Sequence, residues 1–199
     1  MEPGYSIRSK PEYQGLAWHE RAQAHVVISR GSAATAVLQL FQQKGPSQPV
    51  TVLHVHEASG NEACAMLAKA VGDSLVLYAS TDALLADFSR MLEEMRMGTQ
   101  FYLAGSESFM WAVAKVASQH GVHEDDILKQ QVATLARPVY CVHCKATTPD
   151  VTTNIATCSQ CGRKLFVRDH FSRRLGAYMG LVVDAEDPGV IPLIEEVYP

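Results

Sequence analysis

The sequence lacks the features that mark a membrane protein or a secreted, disulfide-rich protein. No apolar stretch approaches the ~20 residues that a membrane-spanning helix requires. The N-terminus has no basic segment followed by an apolar run, so we expect no signal peptide. Five cysteines among 199 residues are too few for a disulfide scaffold. We therefore expect a cytoplasmic chain with reduced thiols and no membrane partner.

Positive charge is also scarce. The chain has 17 Lys and Arg against 21 Asp and Glu, a net charge of −4, and only one short basic cluster, near Arg173. Nucleic-acid binding therefore has no electrostatic footprint here. The eight histidines show no H-E-x-x-H or H-x-x-x-H spacing, and the C-x4-C-x2-C spacing of plant-type 2Fe–2S ferredoxins is missing. These absences argue against a nucleic-acid partner, a histidine metal centre and an internal ferredoxin.

Four of the five cysteines form one regular motif. Cys141, Cys144, Cys158 and Cys161 have the spacing C-x2-C-x13-C-x2-C. Each C-x2-C pair, or knuckle, turns two sulfurs toward one point, so two knuckles supply four soft donors in a tetrahedron. The spacer is long enough for a β-hairpin between the knuckles. The spacing therefore predicts a closed, structural zinc site.

Two other interpretations of these cysteines are weaker. The cysteine count disfavours two disulfides. Iron, as in rubredoxin, accepts the same geometry, but rubredoxin favours Cys-Pro-x-Cys-Gly knuckles. Here neither knuckle has the proline, only Gly162 matches the glycine, and residues 146–154 between the knuckles are mostly polar. Zinc is favoured, and a rubredoxin-like electron carrier remains an alternative.

Upstream of the cysteines, residues 24–133 alternate between short apolar runs and helical patterns. The runs are typical of buried parallel strands, and the segments between them carry apolar residues at helical spacing. The predicted strands are 24–29, 49–56, 74–79 and 99–105, and the predicted helices are 34–44, 61–71, one capped by Thr81 or Asp82, and 108–120 with Gly121 at C′. This order predicts a parallel, doubly wound sheet. On the second helix, Cys64 is expected to be a buried core thiol.

The fold class is therefore predicted to be α/β: a parallel, Rossmann-like sheet followed by a small β zinc ribbon. Arg137-Pro138 marks the predicted boundary, because the alternation of strand and helix stops there. The predicted divisions are an extended segment at 1–23, the α/β domain at 24–136, the ribbon at 137–183 and an apolar tail at 184–199.

Residues 170–180, within the ribbon, have the composition of an interface. Arg173 and Arg174 lie close in sequence to Phe171, Tyr178 and Met179, and aromatic, Met and Arg side chains are enriched in interface cores. This composition predicts a docking segment. The alternative is that the aromatic residues only pack the ribbon while the arginines are solvated.

The α/β half resembles the nucleotide-binding half of ferredoxin–NAD(P) reductases. In that family the first strand leads into Gly-Gly-x-Gly-x-Thr-Pro and the last into Cys-Gly-Pro. This chain has Ser-Arg-Gly-Ser-Ala-Ala-Thr-Ala at 29–36 and Ala-Gly-Ser-Glu at 104–107. The resemblance implies that any nucleotide is bound through Gly31, Thr35 and Gly105. Ala33 and Ala104 depart from the family pattern.

These departures leave two alternatives for the α/β half. One is a scaffold whose pocket is weakened or lost, and the other is residual NAD(P)H binding. Glu57, after the second predicted strand, would repel a 2′-phosphate and so favours NAD over NADP. A reductase of this type also needs a flavin domain of about 100 residues, and only 23 residues precede the predicted domain at position 24. We therefore expect this chain alone not to be a complete reductase.

The whole chain is also similar to a more specific family, the small ribbon-bearing subunit of bacterial dimethylamine monooxygenase. The string Asp-His-Phe-Ser-Arg-Arg-Leu-Gly-Ala-Tyr-Met-Gly-Leu at 169–181, directly after a ribbon, carries this resemblance. It implies an accessory, non-catalytic subunit of an NAD(P)H-dependent haem monooxygenase that demethylates dimethylamine to methylamine and formaldehyde. It further implies a hetero-oligomer with a haem-bearing oxygenase subunit and a flavin and iron–sulfur reductase subunit. A stand-alone zinc-ribbon adaptor or regulatory protein is the rival hypothesis.

Overall fold

The chain divides into two compact units. The computed structural model describes residues 9–57 and 61–199. Tyr13–Ala133 form one unit, here called the α/β unit, and Thr134–Pro199 with the described residues before Tyr13 form the other, the ribbon unit. The observed division differs from the predicted one in two places: residues 13–23 belong to the α/β unit, and residues 184–199 belong to the ribbon unit.

The α/β unit is built on a five-stranded parallel sheet. Its elements are β1 Ala24–Arg30, α1 Ala34–Gln42, β2 Val50–Val55, α2 Asn61–Val71, β3 Leu75–Tyr78, α3 Thr81–Glu94, β4 Thr99–Gly105, α4 Glu107–Gln119 and β5 Ile127–Gln131. The strand order is β3-β2-β1-β4-β5, and every neighbouring pair is parallel. The predicted α/β fold class is confirmed.

Helices cover both faces of the central strands. Val27 of β1 lies beside Tyr102 of β4 and, on that face, packs with Leu40 of α1. Successive side chains of a strand alternate between faces, so Phe101 points the other way, where its ring meets that of Phe88 of α3 at 5.8 Å between centroids. The central strands are therefore apolar on both faces, which is why their sequences are continuous apolar runs.

Two helix ends show which side chains set the boundaries. Ser80, and not Thr81 or Asp82, caps α3, so that prediction was wrong: Ser80 has an extended backbone, and its Oγ accepts from the N–H of Ala83 at 3.2 Å. Gly121 follows α4 with φ of +81°, and the N–H of Val122 reaches back to the carbonyl of Ala117 at 3.1 Å. This glycine-dependent C-terminal motif confirms the prediction for Gly121.

The ribbon unit is a second five-stranded sheet. Its strands are β6 Arg137–Cys141, β7 Thr147–Val151, β8 Ile155–Thr157, β9 Lys164–Ser172 and β10 Ala177–Val182. Their order is β7-β6-β10-β9-β8, with β10 parallel to β6 and antiparallel to β9. The expected hairpin between the knuckles does not form, because β7 and β8 lie at opposite edges of the sheet. Instead, each knuckle is the turn of its own hairpin, β6–β7 or β8–β9.

The last strand, β10, lies between strands from the two knuckle hairpins and closes the sheet. A side chain at Gly180 would meet Val139 Cγ1 at 2.6 Å, so only glycine lets β10 fit between β6 and β9. Phe171 and Tyr178 face each other across the β9–β10 pair, both buried, with ring centroids 4.9 Å apart. These two aromatic residues of the predicted docking segment therefore pack the ribbon, whereas Arg174 in the following turn is exposed.

None of the helices in the described ranges could cross a lipid bilayer. The longest, α3, has 14 residues, and its outer face is polar.

Candidate metal centre

The structure brings the four motif cysteines together at one end of the ribbon. Their sulfur atoms all lie within 4.8 Å of one another. The distance between sulfurs is 3.9 Å for Cys141 and Cys161 and 3.5 Å for Cys144 and Cys158. A zinc ion with Zn–S bonds of about 2.3 Å gives a tetrahedron with edges of roughly 3.8 Å. The four free thiols therefore have the separations of a tetrahedral thiolate site rather than of disulfides, whose sulfurs are about 2.05 Å apart.

The two knuckles share one backbone design. In the first, the N–H of Cys141 donates to the carbonyl of Ala146 at 2.8 Å, and the N–H of Lys145 donates back to Cys141 at 2.9 Å. In the second, the N–H of Cys158 donates to Arg163 at 2.9 Å, and that of Gly162 donates back to Cys158 at 3.1 Å. These bonds hold each pair of sulfurs before any ion binds.

The equivalent residue of each knuckle has a left-handed backbone. Gly162 has φ of +70° and Lys145 has φ of +69°. Glycine adopts this conformation without steric cost, whereas a residue with a Cβ does not. The second knuckle thus has the residue that the turn prefers, and the first has a strained lysine, whose ammonium group donates to the carbonyl of Val142 at 2.6 Å.

Protonation of the cluster indicates a need for a cation. Burial opposes ionisation of Cys158, but the backbone N–H groups of Cys161 and Gln160 and the neighbouring thiols lower its pKa to about 6. At Cys144 the N–H of Ala146 favours the thiolate, yet burial and the other three thiols raise its pKa to about 11. Four sulfurs this close cannot all ionise alone, and a divalent ion would replace the shared protons.

No histidine joins the cluster. His143, inside the first knuckle, is exposed, and the metal-ligand search over residues 9–57 and 61–199 finds these four cysteines as the one group of three or more suitable residues. Cys141 and Cys158 are buried, and Cys144 and Cys161 are partly exposed. A closed set of four thiolates leaves no open coordination position, which is the arrangement of structural and not of catalytic zinc.

The positions predicted for a nucleotide lie at the carboxyl edge of the parallel sheet. Gly31 follows β1 and Gly105 ends the neighbouring β4, in line with the register that places Ser29 beside Ala104. Thr35 is in the first turn of α1. This edge is where doubly wound folds bind ligands, so the structure brings the three predicted residues to the expected region.

Each of these positions is already in contact with the protein itself. Gly31 has φ of +55°, and the carboxylate of Glu57 occupies the space that a side chain at Gly31 would fill. Glu57 in turn accepts from Arg30 Nε at 2.6 Å. An anionic carboxylate therefore lies where a phosphate loop would need room for an anionic phosphate.

The other two positions are closed in a similar way. A Cβ on Gly105 would lie 2.7 Å from the ring of Phe109, which is buried over it. Thr35 Oγ1 donates to the carbonyl of Ser32 at 2.9 Å. Glu107, at the start of α4, is buried and accepts from the hydroxyl of Tyr13. A second internal carboxylate thus lies at a helix N-terminus of this edge.

A buried serine–histidine pair at the same edge was not anticipated from the sequence. Ser29 Oγ and His54 Nδ1 are 2.9 Å apart, and both residues are fully buried. Burial and the nearby His56 lower the pKa of His54 to about 4, so its ring is neutral at pH 7. The pair has no solvent access, so it acts as core packing and not as a nucleophile with its base. The sequence signal was two polar residues inside strands that are otherwise apolar. Cys64, which was expected to be a core thiol, is buried in α2.

Comparison with protein-family models assigns both parts of the chain. Residues 5–127 match the model described as "Dimethylamine monooxygenase subunit DmmA-like, N-terminal domain". Residues 138–181 match the model of the C-terminal domain of the same description. The two matches include most of the chain and both the nucleotide-fold edge and the cysteine cluster.

Among curated proteins, the chain is similar to the "Heme-dependent oxidative N-demethylase delta subunit" of Ectopseudomonas mendocina (strain ymp). The two are 41% identical over 106 residues, which is 52% of this chain and 61% of the relative. The match thus spans about three fifths of that relative's length.

Among solved structures, three partial likenesses illustrate the pattern. A type IV self-sufficient cytochrome P450 monooxygenase is 16% identical with a TM-score of 0.46, covering 66% of this chain and 19% of that one. The FAD/NAD-binding domain of nitric oxide dioxygenase from Vibrio cholerae O1 biovar El Tor is 22% identical with a TM-score of 0.39, covering 58% and 53%. Flavohemoglobin from Malassezia yamatoensis is 16% identical with a TM-score of 0.41, covering 57% and 32%. At these TM-scores the likenesses carry no argument, and the fold assignment rests on the observed strand order.

Proposed function

We propose, from the premise that the chain belongs to the dimethylamine monooxygenase subunit DmmA-like family, that it is an accessory subunit of a haem-dependent oxidative N-demethylase. The name of its relative, a delta subunit of such an enzyme, supports membership of a hetero-oligomer. The finer proposal is that the complex oxidises dimethylamine to methylamine and formaldehyde with NAD(P)H and O₂. A haem-bearing oxygenase subunit and a flavin and iron–sulfur reductase subunit are the proposed partners.

The observation that carries this proposal is a contrast within the chain. The four thiol donors for a metal ion are complete and correctly spaced, whereas the positions for a redox nucleotide are filled by Glu57 and Phe109. A chain with this combination is built to hold structure and not to carry electrons. The electron-transfer cofactors are therefore proposed to reside in the partner subunits, and no residue of this chain is proposed to be catalytic.

The ion that we propose for Cys141, Cys144, Cys158 and Cys161 is zinc. Four thiolates in a tetrahedron suit it, and its single redox state makes it a structural element. Metal analysis of the purified chain is expected to find one zinc per chain and no visible absorption. Ferric–thiolate absorption bands would instead favour the rubredoxin-like carrier. The reducing cytoplasm is the compartment that keeps such thiols free for the ion.

For the α/β unit we propose the scaffold alternative. The carboxylate of Glu57 repels a pyrophosphate at Gly31, and the ring of Phe109 excludes a nicotinamide at Gly105. The sheet then serves to present its outer surfaces within the complex, and NAD(P)H binds elsewhere in the assembly.

Affinity purification of the full chain from its native host tests the function. We expect the tagged chain to bring down protein with haem and flavin absorption. The recovered complex should then form about one formaldehyde per NAD(P)H when dimethylamine is supplied, because one two-electron reduction of O₂ accompanies each demethylation. Recovery of the chain with neither chromophore would contradict the proposal and favour the stand-alone adaptor.

A further inference from the structure

The outward face of β9 carries a row of basic side chains around one aromatic ring. Alternation along the strand turns Leu165 and Val167 into the ribbon interior, where both are buried. The intervening residues point outward, and three of them are exposed. These outward residues, together called the β9 row, are Lys164, Phe166, Arg168 and His170, with Phe166, Arg168 and His170 exposed. The row is about 20 Å long at the usual rise of a strand.

The cations of the β9 row are not neutralised by the chain. The ion pairs found within residues 9–57 and 61–199 involve neither Arg168, His170 nor Arg174, the exposed arginine of the β9–β10 turn. The one carboxylate on the strand, Asp169, pairs with Arg137 at 2.6 Å. The row therefore presents unbalanced positive charge to solvent.

This charge is unusual for the chain as a whole. Residues 137–183 contain seven Lys and Arg and two Asp, a net charge of +5, although the full chain has a net charge of −4. The acidic residues are thus placed elsewhere while one strand face collects cations. A surface with this local excess attracts an acidic partner more strongly than the net charge of the chain suggests.

The aromatic ring at the centre of the row adds an apolar contact. Phe166 is 46% exposed, although phenylalanine is among the residues most often buried. Exposed aromatic and Arg side chains together are enriched at the energetic centre of protein interfaces. A carboxylate-bearing protein surface with an apolar site for Phe166 satisfies both features, whereas a nucleic-acid backbone satisfies only the charge.

We propose that the β9 row, with Arg174, is the docking surface for an acidic patch on a partner subunit of the oxygenase complex. This inference rests on the proposed function, since it takes the partner to be the haem-bearing or flavin-bearing subunit. It moves the docking role from the buried Phe171 and Tyr178 to the exposed face of the same strand. Attraction between exposed charges is screened by salt, so the association should weaken as ionic strength rises.

The test compares two charge reversals in the tagged full chain. Arg168→Glu with Arg174→Glu reverses the proposed surface, and Lys69→Glu with Lys115→Glu makes the same charge change at exposed positions of α2 and α4. Haem and flavin absorption per mole of recovered chain is measured at about 50 and 500 mM NaCl, a range over which the Debye length falls severalfold. Zinc content and the thermal midpoint of each variant check that the ribbon remains folded.

We expect the Arg168/Arg174 variant to recover at least tenfold less haem or flavin at low salt, and the Lys69/Lys115 variant to match the wild type. Phe166→Ser should also reduce recovery, but without changing its salt dependence. Equal recovery by wild type and the Arg168/Arg174 variant overturns the docking surface and leaves the proposed function intact. Recovery of neither chromophore by the wild type overturns both.

Two further outcomes assign the row to another occupant. Binding of the purified chain to a labelled duplex DNA, lost in the Arg168/Arg174 variant, overturns the protein partner in favour of nucleic acid. A salt-sensitive dimer of the purified chain, lost in the same variant by analytical ultracentrifugation, overturns it in favour of a second copy.

Discussion

Arg137 stacks on the ring of Tyr198, with 3.8 Å between the guanidinium carbon and the ring centroid. The opposite face of the same guanidinium lies 4.2 Å from the ring of Tyr178, and its edge pairs with Asp169. Arg137 begins the first strand of the ribbon sheet and Tyr198 is the penultimate residue of the chain. One buried arginine thus links the beginning of the ribbon unit to its C-terminal tail.

The tail is held by the backbone as well. The N–H groups of Val197 and Tyr198 both donate to the carbonyl of Thr152, at 2.9 and 2.8 Å, and the N–H of Leu135 donates to the terminal Pro199 at 2.6 Å. The side chains of Leu193 and Ile194 nevertheless remain exposed. The tail is therefore an ordered part of the ribbon unit, although its apolar composition alone suggested a separate adhesive segment.

Replacing Arg137 should loosen this link. Arg137→Ala removes a buried cation that two rings and a carboxylate stabilise, so we expect a loss of roughly 2 kcal/mol in the free energy of unfolding. Arg137→Lys keeps the charge but not the planar stacking, and it should lose part of that amount. Urea unfolding of the full chain measures both. The control is Tyr198→Phe, which keeps the stacked ring, and a loss as large as that of Arg137→Ala would contradict the stacking argument.

Removing one sulfur should release the metal from the ribbon. Cys161→Ser leaves three thiolates, and we expect metal affinity to fall by at least about 100-fold and the ribbon unit to unfold at a lower temperature. Zinc content by mass spectrometry and a thermal scan provide the readouts. Cys64→Ser, which changes a buried thiol in the α/β unit, should keep a full complement of zinc. Loss of zinc in that control would show that the effect is not specific to the cluster.

The two knuckles make opposite predictions for the same exchange. At Gly162 a Cβ meets no atom within 4 Å, but the backbone is left-handed, so Gly162→Ala should lose about 1 kcal/mol through backbone strain alone. Lys145→Gly relieves that strain in the first knuckle and should gain roughly 0.5 kcal/mol after the entropy of glycine is counted. Guanidinium unfolding of the zinc-bound chain distinguishes them. The same sign for both substitutions would contradict the shared design of the knuckles.

The α/β unit should not bind pyridine nucleotides. Because Glu57 and Phe109 occupy the positions of the phosphate and the nicotinamide, we expect dissociation constants for NADH and NADPH weaker than about 1 mM, a binding free energy of less than ~4 kcal/mol. Isothermal titration of the purified chain measures this directly. Glu57→Ser is the informative variant, since it removes the charge while Gly31 stays. Micromolar binding by the wild type would restore a hydride-transfer role for this chain.

Stability should depend on pH through His54. Its pKa is about 4 in the folded chain and 6.5 when solvated, so below pH 6.5 the unfolded state binds more protons than the folded one. The stability that neutral His54 contributes is therefore complete above pH 6.5 and is lost as pH falls toward 4, by up to ~1.4 kcal/mol per pH unit. Burial also lowers the pKa of His25, which acts in the same direction.

The contribution of His54 can be isolated with a double substitution. His54→Leu with Ser29→Ala removes the titrating ring together with its hydrogen-bond partner. Between pH 6.5 and 4 the urea midpoint of this variant should decline less steeply than that of the wild type. An unchanged slope would show that other groups control the acid sensitivity.

Local pattern was sufficient for the elements that depend on near neighbours. The C-x2-C spacing of Cys141 and Cys144 closes a turn whose hydrogen bonds span only five residues, so its geometry follows from the letters. The apolar runs of β1 and β4 predicted buried parallel strands for the same reason, since alternation and burial are properties of each strand. The cap of α3 was misplaced by one residue because Ser80, Thr81 and Asp82 are all good caps.

What the letters could not show depends on residues far apart in the chain. The placement of β10 between β6 and β9 requires Gly180 to meet Val139, and neither residue alone signals the other. The closure of Gly31 by Glu57 likewise depends on two strands lying side by side. Interface composition at Phe171 and Tyr178 was compatible with docking or packing, and only burial distinguishes the two.

The sequence by itself determined the donor set of the metal centre, the α/β class of the first unit and the family resemblance, because each is written in short spacings and periodic burial. Only the tertiary structure decided that the nucleotide edge is filled by Glu57 and Phe109, that Arg137 secures Tyr198, and that the cations of β9 face outward. These are contacts between distant segments, and their energies arise from packing and charge that form only when the chain has folded.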